Sequence, residues 1–90
     1  MNEQPSFTAL QGQYLAFIHA YTMINGRPPA EADLERHFSV TYPTIHQMVL
    51  TLERKGFISK VPGEARTIRV LVDPSELPVL EKAGKHGKAT

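Results

Sequence analysis

Residues 39–72 read SVTYPTIHQMVLTLERKGFISKVPGEARTIRVLV, and the change of hydrophobic period inside this stretch decides the fold. Ile45, Met48, Val49 and Leu52 recur at helical spacing, which predicts a helix over 43–55 with one apolar side. Pro43 suits its first turn, where a proline loses no hydrogen bond that the helix needs, so Thr41 or Tyr42 is the cap. Lys55-Gly56 ends it, with a cation near the negative pole and a glycine beyond. At 100° per residue Pro43, Gln47, Leu50 and Arg54 fall within an outward arc of about 60°, flanked by His46 and Thr51. The period then shortens. Two β-branched runs surround Pro62-Gly63-Glu64-Ala65-Arg66 and predict an antiparallel hairpin with strands near 58–61 and 67–72.

Upstream, Ser39-Val40-Thr41 is a polar break preceded by a short helix near 30–38, whose buried pair is Leu34 and Phe38. Glu31, Asp33 and Glu35 load the front of that helix with charges that suit its positive end, after Pro28-Pro29 has enforced an extended connection. A longer helix near 9–25 begins at a Thr8/Gln11 capping box and ends at Asn25-Gly26. Leu10, Tyr14, Phe17, Ile18 and Tyr21 form its inner face, with Gln11, Gln13 and His19 largely elsewhere. Downstream of the hairpin, one helical turn is expected within Ser75 to Leu80, then a Gly- and Lys-rich mobile tail from Lys82 to Thr90. The expected organisation is a flexible 1–7, a domain over 8–72 and an extension over 73–90.

Ninety residues make one small domain with a thin core, burying about 60–65% of the unfolded chain's surface and leaving no room for a deep enzyme cleft. With no cysteine, disulfides, thiolate zinc sites and cysteine nucleophiles are excluded together. Met1 to Phe7 lack a basic region followed by an apolar run, and no stretch approaches membrane-spanning length, so the chain is expected to be cytoplasmic and complete as written. The net charge of +1 conceals a segregation: Arg54, Lys55, Lys60, Arg66 and Arg69 stand against a single Glu64 between Arg54 and Val72. Such a patch on a nearly neutral domain implies a polyanionic partner.

Two helices joined by a tight break, a third with a polar outer face and a basic hairpin make an α+β winged helix-turn-helix. A major groove about 12 Å wide admits such a helix, and donors and acceptors early in it reach base edges. Tyr42, Thr44, His46 and Gln47 are the expected base readers in double-stranded DNA. Thr41, Arg54, Lys55, Lys60, Arg66 and Arg69 are expected to hold phosphates or enter the minor groove. A homodimer on DNA is expected, and no cofactor is needed. The rival readings are a winged-helix module for protein contacts and a nonspecific nucleic-acid binder; the basic wing and the polar Tyr42 to Gln47 face argue against the first.

The segments INGRPPAEADLERHF and LTLERKGFISKVPGEARTIRVL, with the Thr8 capping segment, resemble the amino-terminal domain of the LexA-type repressors over roughly residues 6 to 72. The resemblance implies operator binding and transcriptional regulation, with repression favoured. Two departures limit it. The path from Pro29 to Gly56 is one residue shorter than in LexA, and SVTYPTIHQ is similar to the turn of GntR- and MarR-type regulators, so the LexA operator is not carried over. LexA repressors continue into a self-cleaving domain with a Ser–Lys dyad; Ala83-Gly84 is the type of dipeptide they cut, but no protease switch is expected here.

His19, His37, His46 and His86 lack the spacing of a zinc site and read as surface residues, His46 alone lying on the groove face. Tyr14, Phe17 and Tyr21 read as core aromatics. Leu50 faces outward and either touches a thymine methyl or marks a protein contact. No phosphate loop, nucleophile elbow or apolar carboxylate pair occurs, which argues against an enzyme.

Overall fold

The computed structural model describes residues 6–82. Helix α1 spans Ala9–Asn25, α2 Glu31–Phe38 and α3 Tyr42–Arg54, followed by strands β1 (Ile58–Ser59) and β2 (Arg69–Val70) and a 3-10 turn at Pro74–Glu76. The strands pair antiparallel, Ile58 opposite Val70 and Ser59 opposite Arg69. This is the expected α+β winged helix-turn-helix, with each helix boundary within one residue of its sequence reading. The expected mobile tail beyond Lys82, with His86 and Ala83-Gly84, lies outside the described residues.

The core draws on every element. Tyr14, Leu15 and Ile18 of α1, Leu34 and Phe38 of α2, and Ile45, Val49 and Leu52 of α3 meet Ile58, Ile68 and Val72 from the hairpin. At the start of α1 the Thr8 hydroxyl accepts from the Gln11 N–H while the Gln11 side-chain Oε1 accepts from the Thr8 N–H, both at 3.0 Å. Two donors that a helix start would leave orphaned are thereby satisfied.

The buried face of α1 is wider and differently set than its periodicity predicts. Leu10, expected inside, is exposed, whereas Gln13, expected outside, is buried. The chain after the wing folds back across α1: Gln13 Nε2 donates to the Val79 carbonyl and its Oε1 accepts from the Glu81 N–H, each at 2.8 Å. Gly12 permits this approach, since a Cβ there would meet Pro78 and Phe7 at 3.0 Å. Phe7, expected in a flexible leader, packs edge-on against Phe57 with centroids 5.8 Å apart. The helical turn expected within 75–80 is instead a 3-10 turn at Pro74–Glu76, where Asp73 accepts from the Ser75 N–H at 2.9 Å. Leu77 then turns extended and joins the residues packed on the core.

The strands are also shorter than expected. One further bond, Leu71 N–H to the Phe57 carbonyl at 2.8 Å, extends the ladder towards the helices. Towards the tip the Thr67 hydroxyl takes over, accepting from the Val61 N–H at 3.0 Å and donating to the Glu64 carbonyl at 3.1 Å. The tip is a turn with Pro62 then Gly63, the latter at φ 78°, closed by the Glu64 N–H on the Val61 carbonyl. Thr67 and this turn satisfy backbone groups that a longer ladder would have paired.

Between α2 and α3 the chain reverses in three residues, with Ser39 in the left-handed region (φ 56°, ψ 45°) and Val40 packed on the core. A left-handed conformation costs an L-residue about 1–2 kcal/mol, which glycine avoids while losing more entropy on folding. Ser39→Gly is therefore expected to raise stability by about 0.5–1 kcal/mol, a few degrees in melting temperature for a domain of this size. An unchanged or lower melting temperature by circular dichroism would show that the exposed serine side chain contributes more than the strain removes.

Candidate nucleic-acid interface

Ile45, Val49 and Leu52 fix the rotation of α3 by burying its inner side. Thr41, Pro43, Thr44, Gln47, Arg54 and Lys55 are exposed along the other side, with Tyr42 at 49% and Leu50 at 37%. The outward arc read from the sequence is thus the arc the fold presents. The 13 residues of α3 span about 20 Å at 1.5 Å per residue, with Tyr42 and Thr44 at one end and Arg54, then Lys55, at the other. Thr41 is the cap, through its backbone alone.

His46 is half-buried on the flank of this arc. Its ring stacks on Tyr42 with centroids 5.3 Å apart, and Nδ1 lies 3.2 Å from the Tyr42 hydroxyl. The same Nδ1 is 3.7 Å from Oε1 of Glu31, whose Oε2 is 3.5 Å from Lys60 Nζ. Glu31, read as a helix-end charge, thereby touches the recognition helix and the wing together. Lys60 is largely covered in this position, its side chain 19% exposed.

Arg66 also lies against the body of the domain, at φ 60°. Its guanidinium donates to the Tyr21 hydroxyl (3.1 Å), to Asp33 Oδ2 (3.1 Å) and to the Pro28 carbonyl (3.4 Å). Asp33 is buried and accepts in addition from the Ala30 N–H at 2.8 Å and from Arg36. Arg69 is exposed on β2, beside a groove that His19 and Thr22 of α1 help to line. Of the six residues expected to meet phosphates or the minor groove, Thr41, Arg54, Lys55 and Arg69 are exposed, and Lys60 and Arg66 are paired with carboxylates of α2. Tyr21, Glu31 and Asp33 join the site without having been singled out for it. The only signal for them in the sequence is an acidic helix front opposite a basic hairpin, and no local pattern says that the two touch.

An exposed polar helix face carried on a second helix and flanked by a β-hairpin defines a winged helix-turn-helix DNA-binding domain. The chain belongs to the LexA DNA binding domain family, which matches residues 4–67. It is 35% identical to the LexA repressor of Thermosipho africanus over 72 residues, covering 80% of this chain and 36% of the relative. To the LexA repressor of Thermosipho melanesiensis it is 36% identical over 78 residues, 87% of this chain and 39% of the relative. To that of Oleidesulfovibrio alaskensis it is 29% identical over 73 residues, 81% of this chain and 35% of the relative. The matches thus cover between a third and two fifths of those relatives' length. Among the described residues no helix is long and apolar enough to cross a membrane.

Burial pulls the Asp33 carboxyl upward, but the Ala30 N–H, the Arg66 and Arg36 guanidinium groups and the Tyr21 hydroxyl outweigh it and hold it below its ordinary value of 3.8. A carboxylate depressed by folding stabilises the native state above its unfolded pKa and ceases to do so as pH falls through the folded one. At neutral pH, Asp33→Asn is expected to lower unfolding free energy by about 1.5–3 kcal/mol, the range for hydrogen bonds to a charged group. Urea titrations over a pH series should show this deficit shrinking as pH drops below 3.8. A deficit independent of pH would mean that the charge on Asp33 contributes nothing to folding.

Proposed function

We propose that this domain binds duplex DNA at a defined sequence and acts as a transcriptional repressor, with α3 in the major groove. One observation carries the reading: the inner side of α3 is sealed by Ile45, Val49 and Leu52, so its exposed donors and acceptors are turned outward as a set. Tyr42, Thr44 and Gln47 read base edges, with His46 on the flank beside Tyr42. Leu50, near the middle of the arc, is placed to meet a thymine methyl. Thr41, Arg54, Lys55 and Arg69 hold phosphates or the minor groove. Repression is supported by the relatives, which are named repressors.

Selection from random duplexes with the purified protein tests specificity directly, and Gln47 then separates reading from holding. A glutamine can bond adenine N6 and N7 together, and such a pair discriminates by about 1–3 kcal/mol. Gln47→Ala is expected to weaken the best selected duplex by about tenfold or more while leaving random DNA nearly unaffected. Equal losses on both, at unchanged melting temperature, would remove α3 as the reader.

Two copies are proposed to occupy each full site. A single module covers only about 600–1,000 Å² on DNA, and helix-turn-helix dimers reach high affinity by reading half-sites about 34–36 Å apart. Sedimentation of the protein on its best selected duplex should give two chains per DNA, with an inverted repeat in the recovered sequence. One chain per duplex at saturation, with no repeat, would make the monomer the binding unit.

A further inference from the structure

Core packing by Ile58, Ile68 and Val72 fixes the hairpin but does not explain the position of its outer part. Each strand is two residues long, residues 61–65 are exposed, and between hairpin and α2 lies a cleft of about 210 Å³ bordered by Pro29, Ala65 and Ile68. Two ionic contacts flank this cleft, Lys60 with Glu31 and Arg66 with Asp33. The Arg66 contact is the stronger by geometry. One guanidinium reaches three elements: the Tyr21 hydroxyl on α1, the Pro28 carbonyl in the connection, and the buried Asp33 carboxylate on α2. Its carbon also sits 6.0 Å from the centroid of the Tyr21 ring, within cation–π range. The backbone conformation points the same way. Arg66 is at φ 60°, where a glycine would be unstrained, and such a residue persists where its surroundings hold it.

From this arrangement we infer that Arg66 is a positioning residue: with Asp33 and Tyr21 it forms a clasp that sets the wing beside the recognition helix, and it contributes to DNA binding without touching a phosphate. The inference rests on the DNA-binding reading above and deepens it. All three bonds are donated by Nη1, which commits that end of the guanidinium to a carboxylate, a hydroxyl and a carbonyl of the domain, and Asp33 shares its charge between Arg66 and Arg36. What Arg66 supplies is order. A wing that occupies its binding position for only a tenth of the time binds about tenfold more weakly, with every contact otherwise intact.

The two roles give opposite results at Asp33. As a clasp partner, Asp33→Asn frees the wing and weakens specific binding about tenfold, as does Arg66→Ala, and the double variant is no weaker than either alone. The slope of log affinity against log salt stays as in the parent protein for all three. As a phosphate contact, Arg66→Ala flattens that slope by about one, and Asp33→Asn, which removes a negative charge, binds DNA more tightly. The measurement is fluorescence anisotropy with the best selected duplex and a random duplex over a salt series, well below each variant's melting temperature. Tyr21→Phe, which removes one acceptor and keeps the ring, provides a mild variant that should lose about two- to threefold.

Nitrogen-15 relaxation of the free protein tests the clasp without DNA. The amides of Val61 and of residues 63–67 should be rigid in the parent protein, with order parameters near 0.85, and fall below about 0.6 in Arg66→Ala and Asp33→Asn. A shallower salt slope for Arg66→Ala with tighter binding by Asp33→Asn would overturn the inference, as would wing amides equally rigid in the parent protein and both variants. Should the parent protein select no DNA sequence, the proposed function fails while the relaxation comparison still decides the clasp.

Discussion

The stack of Tyr14 on Phe38, with ring centroids 4.0 Å apart and planes within 2°, joins α1 to α2, and the remaining parts are placed from that joint. Phe17 extends it, meeting Phe38 edge-on and lying against the ring of His37. Stacked rings resist sliding as well as separation, because offset contacts depend on relative orientation as well as on buried area. A short helix such as α2, eight residues long, has little rigidity of its own and takes its orientation from what it packs on. With Leu34 and Phe38 turned into the core, Glu31 and Asp33 emerge near the wing. The orientation of one aromatic pair therefore decides which charges the wing meets.

A thin core constrains how a domain this small can be built. Among the described residues eleven buried side chains form the central cluster, and the hairpin supplies only Ile58, Ile68 and Val72 to it. Beyond the base the wing has no apolar layer to rest on, so polar contacts with specific geometry hold it. These suit the role better than a greasy patch would. Hydrophobic contact is non-directional, whereas a guanidinium fork accepts only a narrow set of partner positions.

Much of this architecture was legible in the sequence because it is written in local rules. The Thr8/Gln11 capping box, the proline at the start of α3 and the alternation of Ile45, Val49 and Leu52 with Thr44, Gln47 and Leu50 all depend on neighbours within one or two helical turns. The misreadings occurred where the partner is far along the chain. Gln13 looked like a surface residue because the peptide that covers it lies 66 and 68 positions away. Leu10 looked like core because helical spacing cannot say where a face stops. The carboxylate partners of Arg66 and Lys60 were not legible, because they sit about 30 residues upstream in a segment whose acidity already had a sufficient local explanation at a helix front. The shortened strands have the same origin, since a threonine hydroxyl substituting for ladder bonds leaves no mark on the hydrophobic pattern.

The Gln13 amide grips the returning chain by main-chain atoms only, taking a carbonyl at Val79 and an N–H at Glu81. The Val79 side chain itself stands 86% exposed. A grip of this kind fixes the path of the peptide and is indifferent to its spelling. The side chain at 79 can change identity without altering where the chain runs, whereas a proline at 81 would remove the donor. For anyone joining a reporter or a second module at this end, the practical meaning is that the attachment point is set by the domain while the chemistry of the connecting peptide stays open to choice.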